Sequence, residues 1–310
     1  MEPFERYRDV VDDYDAFLAA CQRGLPMAVR VNTLRATPDE VVAAFEAEGV
    51  DVERVDWHPH VLVPDTDKPG TTWPAYHGWA HGQEEVSAIP ATVLDPQPGE
   101  RVWDACAAPG SKTTQLSAMM DDEGTVVAND NNLGRLSALR FNTERLGVTN
   151  TVVTNRDARN FSLKPFQRED EDDEAVAFDR VLVDAPCSCE GTIRKNPDAL
   201  DDWNLGHVEQ VASVQKGILR RAAQVTKPGG TIVYSTCTFA PEENEAVLDH
   251  VLAREPIEVV DYDLPLEHVD GLTEFDGETY DPQVGNAKRV YPHHNDTGGF
   301  FTAKLEVTAE

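Results

Sequence analysis

From residue 100 onward, short runs of β-branched residues alternate with longer amphipathic stretches, and this alternation limits the possible folds more than any other feature. The predicted strands are RVWDAC, GTVVAND, NTVVTN, FDRVLVDAP, GGTIVYST and the final GGFFTAKLEV. The predicted helices are KTTQLSAMM, NLGRLSALRFNTERLG, GHVEQVASVQKGILRRAAQVT and PEENEAVLDHVLARE. Strands that alternate with helices form a mostly parallel, doubly wound sheet. We therefore expect an α/β fold that binds its ligands at the carboxyl ends of the strands.

The part of the chain before this alternation predicts a smaller α+β domain over residues 1–70, with the main domain over residues 71–310. Its best-defined element is the helix TPDEVVAAFEAEG, in which Thr37 caps the start, Glu40 completes a capping box and Gly49 ends the helix. A strand is predicted in MAVRVNTLR, and one or two strands are predicted in VDVERVDWHPHVLVP. The segment DTDKPGTTWPAYHGWAHGQ is rich in proline and glycine, which indicates a linker between the two domains.

The charge of the chain is strongly negative, with 56 acidic and 27 basic residues and a formal net charge of −29. High salt shortens the range of the resulting self-repulsion, so the composition favours a halophilic cytosol over an ordinary acidic protein. Charge alone argues against a nucleic-acid partner, because phosphate contacts need positive charge. The run QREDEDDE is interpreted as a solvated loop.

The start of the chain, MEPFERYRDV, lacks the apolar segment of a signal peptide, and no apolar run approaches the roughly 20 residues of a membrane span. Five cysteines form no small disulfide framework, which suits a reducing compartment. We therefore expect a cytoplasmic protein that does not associate with a membrane.

Polar side chains follow successive predicted strands where each strand ends, at Asp104, Asp130, Asp157, Asp184 and Cys237. The loop DACAAPGSKT after the first strand is compact and leads into a helix, but it has neither the GxxxxGK[ST] nor the GxGxxG spacing. Four acids at one edge of a sheet suit the hydroxyl and amino groups of a nucleoside and disfavour a polyphosphate. S-adenosylmethionine fits, because it has a sulfonium centre and no phosphate.

The cysteines of DAPCSCEGT and YSTCT allow several interpretations. A disulfide is disfavoured by the compartment, and CxC with a distant cysteine lacks the paired spacing of a structural zinc site, so we expect no metal. An inert buried thiol suits Cys21, whereas Cys106 fits either core packing or the cofactor loop. Cys187 and Cys237 both follow strands whose ends line the predicted site, which favours a nucleophile.

A thiolate nucleophile has a clear use on cytosine. Addition of the thiolate at carbon 6 turns the ring into an enamine, and carbon 5 then attacks the sulfonium methyl group. A base must afterwards remove the carbon 5 proton so that the thiolate leaves. Asp184 would stabilise the adduct near ring nitrogen 3 if it were protonated.

These residues resemble the RNA 5-methylcytosine methyltransferases of the NOL1/NOP2/Sun class, in a version like those of halophilic archaea. The matching segments are LPMAVRVNTLR, DACAAPGSKTTQ, DAPCSCEGTIRKNPDAL, YSTCTFAPEENEAV and RVYPHHNDTGGFF. The resemblance implies a seven-stranded class I methyltransferase sheet of the Rossmann-like type with a small N-terminal domain. It implies that Cys237 is the nucleophile and that Cys187 assists release of the product, with Cys187 as attacker the alternative. Ser111 and Cys189 depart from the family, which commonly has glycine at both positions.

The resemblance also implies the remaining site residues. Lys112 approaches the target base in addition to the cofactor. The implied cofactor contacts are Cys106, Ala107, Ala108, Pro109, Gly110, Ser111, Lys112, Asp130, Asp157 and Asp184.

The implied partner is RNA, with tRNA favoured over rRNA, and a monomer is assumed. RNA contacts are expected from Arg30, Arg35, Arg194, Lys195, Lys288 and Arg289. Two other functions stay open. The first is an amino-group methyltransferase on the same fold, which would have an aromatic residue that DAPCS lacks. The second is a non-catalytic RNA-binding or ribosome-assembly protein, for which we would expect a damaged cofactor loop or lost cysteines, and the sequence shows neither.

Overall fold

The computed structural model describes residues 2–167 and 177–309. The acidic run predicted as a loop lies outside these residues except for Gln167. Among the helices within the described ranges, none combines the length and the apolar character needed to cross a membrane.

The N-terminal part forms a four-stranded antiparallel sheet with order β2-β3-β1-β4. The segment predicted as a linker contributes β4, which pairs with β1 through Val29 and Gly82, so this sheet extends beyond residue 70. The short strand AHG has no alternating pattern of its own, and pairing with β1 is what makes it a strand. The elements are α1 Tyr14–Cys21, β1 Val29–Val31, α2 Pro38–Ala47, β2 Val52–Arg54, β3 Val61–Pro64, α3 Trp73–Tyr76 and β4 Ala80–Gly82.

The start of α2 has the predicted capping box. The Thr37 hydroxyl accepts a hydrogen bond from the backbone N–H of Glu40, and the Glu40 carboxylate accepts one from the backbone N–H of Thr37. Gly49, just beyond the helix, has a φ of +76°, a conformation that glycine adopts without a steric penalty. Val41 and Phe45 lie one turn apart and are both buried, so this helix covers the first sheet.

Within the residues that the structure describes, the main part of the chain folds around a mixed sheet of nine strands. Five parallel strands in the order β7-β6-β5-β8-β9 continue into antiparallel β15. Its elements are α4 Ile89–Leu94, β5 Arg101–Asp104, α5 Ser111–Met119, β6 Thr125–Asn129, α6 Leu133–Leu146, β7 Thr151–Thr154, β8 Phe178–Asp184, α7 Leu205–Val225, β9 Thr226–Thr236, α8 Glu245–Leu252, β10 Ile257–Val260, β11 Val269–Asp270, β14 Lys288–Val290, α9 Pro292–Asn295 and β15 Phe300–Val307. A separate hairpin contains β12 Glu274–Phe275 and β13 Glu278–Thr279.

The count of nine strands, rather than the expected seven, has a simple cause. β15 is long enough to pair with two short strands end to end on the same side. β14 pairs with residues 300–302 and β10 with residues 304–307. β11 then adds to the outer side of β14. The all-parallel half of the sheet, which carries the predicted strand tips, is as expected.

The first residues of the chain pack against the main domain. Phe4, Tyr7 and Phe17 form one buried cluster with Phe239 and Tyr291. The ring of Phe17 meets that of Phe239 edge-on, with the centroids 5.2 Å apart. Phe239 comes two residues after Cys237, so this cluster supports the loop that carries the predicted nucleophile.

Candidate active site

The carboxyl ends of the five parallel strands meet at one edge of the sheet, as predicted. Asp104 ends β5 and Asp184 ends β8, while Asp130 directly follows β6. Asp157 follows β7 by three residues, and Cys237 directly follows β9. The sheet therefore brings together side chains that are up to 133 positions apart in the sequence.

A cavity of about 540 Å³ opens at this edge. That volume is within the range of about 300–1,000 Å³ that small-molecule sites occupy. Its lining includes most of the predicted polar residues and both predicted catalytic cysteines. The lining residues used below are Cys106, Ala108, Asp130, Arg135, Asp157, Arg159, Asp184, Cys187, Cys189 and Cys237.

The loop between β5 and α5 forms one wall of the cavity. Asp130 holds it, because one oxygen of the Asp130 carboxylate accepts a hydrogen bond of 3.2 Å from the backbone N–H of Ala108. Gly110 caps α5 with a φ of +108°, and a Cβ at this position would lie 2.9 Å from a methyl group of Leu139. The loop can therefore run close to α6 only with glycine at this position.

Five of the predicted cofactor residues are not in the lining of the cavity. Ala107 donates its backbone N–H to the carbonyl of Asn129, and the Ser111 hydroxyl contacts His81 at 2.9 Å. Pro109 is exposed and accepts a hydrogen bond from Asn142 on its carbonyl. Gly110 and Lys112 belong to the start of α5, and Lys112 points to Asp184.

Two of the acids at the strand tips have internal partners. Asp157 forms an ion pair with Arg159, whose side chain and backbone donate to it, and these hydrogen bonds lower the pKa of Asp157. Asp104 is buried and accepts a hydrogen bond of 2.6 Å from the Thr113 hydroxyl. Burial raises the pKa of Asp104 to about 7. Asp104 therefore shapes the base of the site, whereas Asp157 lies at its exposed rim.

Three thiols lie together at the end of β8 and β9. The Sγ atoms of Cys187 and Cys237 are 3.2 Å apart, and those of Cys187 and Cys189 are 3.9 Å apart. All three sulfur atoms lie within 4.8 Å of one another. Hydrogen bonds from Cys187 to its neighbours, together with burial, raise the pKa of Cys187. The hydrogen bond from Cys187 lowers the pKa of Cys189.

Lys112 reaches the same site from the first turn of α5. Its Nζ lies 2.8 Å from a carboxylate oxygen of Asp184 and donates to the Ser87 hydroxyl at 2.9 Å. Burial by itself lowers the pKa of Lys112, but the charge and hydrogen bond of Asp184 outweigh it, so the net effect is a raised pKa. The second oxygen of Asp184 accepts a hydrogen bond of 3.0 Å from Ser235. Asp184 therefore accepts hydrogen bonds from both Lys112 and Ser235, and the group with a proton to donate here is Lys112.

Buried glutamates that the sequence did not single out hold the loops of the two cysteines. Glu243 accepts hydrogen bonds from the backbone N–H of Ser188 at 3.0 Å and from Gln215 at 2.9 Å. Burial raises the pKa of Glu243 to about 7. Glu190 accepts hydrogen bonds from Tyr7, Trp203 and the backbone of Phe239. The run PEENE marks Glu243, but nothing in it shows that the carboxylate turns inward.

The expected RNA contacts are largely wrong. Arg30, Arg194, Lys288 and Arg289 are buried. Arg289 forms a fully buried ion pair with Glu245, and Arg30 donates to Gln83 and Thr114. Only Arg35 and Lys195 are exposed among the six. The four buried cations instead stabilise the fold, because a buried cation needs a hydrogen-bonded partner within the protein.

Comparison with known protein families gives two matches that together span most of the chain. The family described as 16S rRNA methyltransferase RsmB/F matches residues 91–306. The ferredoxin-like domain described as RsmF/B-like matches residues 6–69.

Similar individual proteins agree with these matches. The chain is 37% identical over 305 residues to the tRNA (cytosine(49)-C(5))-methyltransferase of Pyrococcus abyssi, covering 97% of this chain and 94% of the relative. It is 36% identical over 304 residues to the ribosomal RNA small subunit methyltransferase F of Shewanella denitrificans, covering 95% of this chain and 57% of that longer relative. A solved methyltransferase homologue from Pyrococcus horikoshii superposes with a TM-score of 0.83 at 31% identity, covering 97% of this chain and 93% of that one.

Proposed function

The chain belongs to the RsmB/F family of RNA methyltransferases, and we propose that it methylates carbon 5 of cytosine in RNA with S-adenosylmethionine as the methyl donor. The observation that carries the proposal is the thiol pair Cys187 and Cys237, 3.2 Å apart at the ends of adjacent parallel strands. Lys112 and Asp184 lie beside this pair, so nucleophile, second thiol and cation converge on one edge of the sheet.

The cavity at the strand tips fits S-adenosylmethionine in size and in chemistry. When bound, the cofactor supplies an electrophilic methyl group on a sulfonium. Asp130 and Asp157 offer carboxylates for ribose hydroxyls, and Cys106 and Ala108 line the same wall. The three aspartates of the lining, Asp130, Asp157 and Asp184, offer carboxylates to the positive sulfonium, and Arg135, Arg156 and Arg159 balance their charge. Ala107, Pro109, Gly110 and Ser111 form the loop that keeps this wall in place.

In this proposal Cys237 adds to carbon 6 of the target cytosine, and its thiol proton must first leave. The hydrogen bond from Cys187 lowers the pKa of Cys237, but the hydrogen bond with Cys189 and burial outweigh it, so the net effect is a raised pKa. Cys187 donates a hydrogen bond to the Cys237 sulfur, so the Cys237 proton passes to solvent through the cavity and Cys187 stabilises the thiolate that remains. After methyl transfer Cys187 takes part in removal of the carbon 5 proton, which lets the Cys237 sulfur leave carbon 6.

Lys112 supplies the positive charge that the covalent adduct needs. Addition of a thiolate at carbon 6 places negative charge on the ring at nitrogen 3 and the carbonyl oxygen. A protonated Lys112 stabilises that charge, and Asp184 keeps the ammonium group charged and oriented. Ser87 fixes the same ammonium group from the other side. The role first assigned to Asp184 thus passes to Lys112, with Asp184 as its positioning partner.

We further propose tRNA over rRNA as the substrate, because the relative that is matched over 94% of its own length is named as a tRNA methyltransferase. We propose that the reaction needs no metal and is carried out by a monomer. All five cysteines are free, and the proposed chemistry needs reduced thiols, which favours the cytosol as the compartment. The surface charge favours activity at high salt.

The test is methyl transfer from radiolabelled S-adenosylmethionine to separate tRNA and rRNA pools, followed by digestion to nucleosides. The proposal expects label in 5-methylcytidine from the tRNA pool. Label only in rRNA would overturn the proposal that tRNA is the substrate. Label in another methylated nucleoside would overturn the proposed reaction at carbon 5 of cytosine.

A further inference from the structure

Three thiols converge in the site, although the proposed reaction uses only two of them. We propose that Cys187, Cys189 and Cys237 together form a binding site for one soft d¹⁰ cation such as Zn²⁺ or Cd²⁺. Because the reaction needs no metal, the bound cation acts as an inhibitor that occupies the sulfur of Cys237. The inference does not depend on the methyl-transfer reaction, since metal binding can be measured without RNA or cofactor.

The spacing of the three sulfur atoms fits a single ion. With a Zn–S bond of about 2.3 Å, two sulfur ligands of a tetrahedral zinc lie about 3.8 Å apart. The Sγ atoms of Cys187 and Cys189 are 3.9 Å apart, and Cys187 and Cys237 are 3.2 Å apart. All three lie within 4.8 Å of one another. Changes of about 0.6–1 Å in the sulfur–sulfur distances, which side-chain rotation can supply, complete a three-sulfur set around zinc.

The backbone at Cys189 is a second observation that points to its side chain. Cys189 has a φ of +62°, in the left-handed region that glycine adopts at no cost. A cysteine in this conformation costs about 1 kcal/mol or more. Yet Cys189 takes no part in the proposed reaction. A side chain kept in a strained position, with its sulfur against two others, fits a ligand role.

The thiols supply the negative charge that a bound cation needs. Three partly buried thiols in contact cannot all ionise alone, because the thiolates repel one another. A divalent cation removes this repulsion. Binding breaks up to three S–H bonds and forms three S–metal bonds, the protons pass to solvent, and no electrons are transferred. The positive charges of Lys112 and Arg135 are each paired with a carboxylate, that of Asp184 and that of Asp130 respectively.

The site also has an entry path and an open coordination position. Cys187, Cys189 and Cys237 all line the cavity of about 540 Å³, which opens to solvent at the strand tips. Three protein ligands leave a fourth position for water, the arrangement found in zinc sites that exchange their outer ligand.

The experiment titrates the full chain with Cd²⁺ in a chloride-free buffer that contains a non-thiol reductant. The readouts are the ultraviolet charge-transfer band of cadmium thiolates and calorimetric stoichiometry. We expect one Cd²⁺ per chain with a thiolate band. Cys189→Gly suits the backbone at this position and should weaken binding by more than ~100-fold, because even the loss of an outer-shell partner of a metal ligand costs roughly 10–100-fold.

Cys21→Ala is the matched control, since Cys21 is a buried thiol in α1 that belongs to a separate cluster. This variant should bind Cd²⁺ as the wild type does. The proposal is overturned if the wild type gives no thiolate band, if Cys189→Gly binds with wild-type affinity, or if Cys21→Ala loses binding. Failure of methyl transfer with intact Cd²⁺ binding would instead count against the proposed function alone.

Discussion

The sulfur atoms of Cys187 and Cys237 lie 3.2 Å apart, although 50 residues separate the two positions. The parallel register of β8 and β9 brings them together, because Asp184 pairs with Ser235 directly before the two cysteine loops. One thiol can attack the base while the other handles a proton.

Lys112→Met should lower the single-turnover rate of methyl transfer by roughly 10²–10³-fold, the usual cost of removing one donor from a developing negative charge. Affinity for S-adenosylmethionine should change much less, because Lys112 lies outside the lining of the cofactor cavity. Lys227→Met is the control, since it also breaks a lysine–aspartate pair, at 2.7 Å, near the start of β9. Equal rates for both variants would refute the role of Lys112.

Glu243→Gln should change how stability depends on pH. Because the folded state raises the pKa of Glu243 from 4.5 to about 7, the folded protein binds this proton more tightly than the unfolded chain. The wild type therefore loses stability as pH rises between these two values, at up to about 1.4 kcal/mol per pH unit.

Glutamine keeps the oxygen that accepts from Ser188 and Gln215 and carries no charge. Between about pH 5 and about pH 8, the difference in the free energy of unfolding between the variant and the wild type should shift by roughly 1–3 kcal/mol in favour of the variant. Denaturant titration measures this difference at each pH. The same change at the exposed Glu258 should leave the profile as it is. Parallel profiles for Glu243→Gln and the wild type would disprove the protonated carboxyl.

Gly110→Ala should destabilise the protein by roughly 1–3 kcal/mol, since it combines a φ of +108° with a Cβ only 2.9 Å from Leu139. Affinity for S-adenosylmethionine should fall as well, because the loop forms a wall of the cavity. Gly70→Ala is the control, with no atom within 4 Å of the added Cβ and no left-handed backbone. Calorimetry measures the cofactor affinity of both variants, and chemical unfolding measures their stability. Equal affinity and equal stability for the two variants would show that the loop conformation is wrong.

The net charge of −29 predicts that salt stabilises the fold. Raising ionic strength from about 0.1 M to about 1 M shortens the Debye length from about 10 Å to about 3 Å and weakens the repulsion between surface carboxylates. The melting temperature should therefore rise by several degrees in KCl. A melting temperature that stays constant or falls over this range would remove the case for a halophilic protein.

Local patterns were sufficient to predict most of the fold. The five parallel strands have β-branched, apolar sequences bounded by turns, and the capping box at Thr37 is visible in four residues. β4 was missed because Ala80–Gly82 has no strand pattern, and its partners in β1, Val29–Val31, lie 49 to 53 positions earlier. The nine-strand count was missed because nothing local shows that β10 and β14 share one side of β15.

The site was predictable as far as strand ends are concerned. The sheet fixes the position of a polar residue at the end of a parallel strand. The sequence alone therefore predicts that Asp184, Cys187 and Cys237 lie close together. The hydrogen-bond and ion-pair partners of buried side chains could not be predicted from the sequence. The expectation for Arg289 was wrong because its partner, Glu245, lies 44 residues away on α8 and is equally buried.

The most direct test of the central claim compares the wild type with Cys237→Ala and Cys187→Ala in one assay with labelled S-adenosylmethionine and tRNA at high salt. Products are separated on a denaturing gel and by nucleoside analysis. The account predicts 5-methylcytidine with the wild type, no methyl transfer with Cys237→Ala, and a covalent protein–RNA band that accumulates with Cys187→Ala. Methyl transfer by Cys237→Ala at the wild-type rate would contradict it.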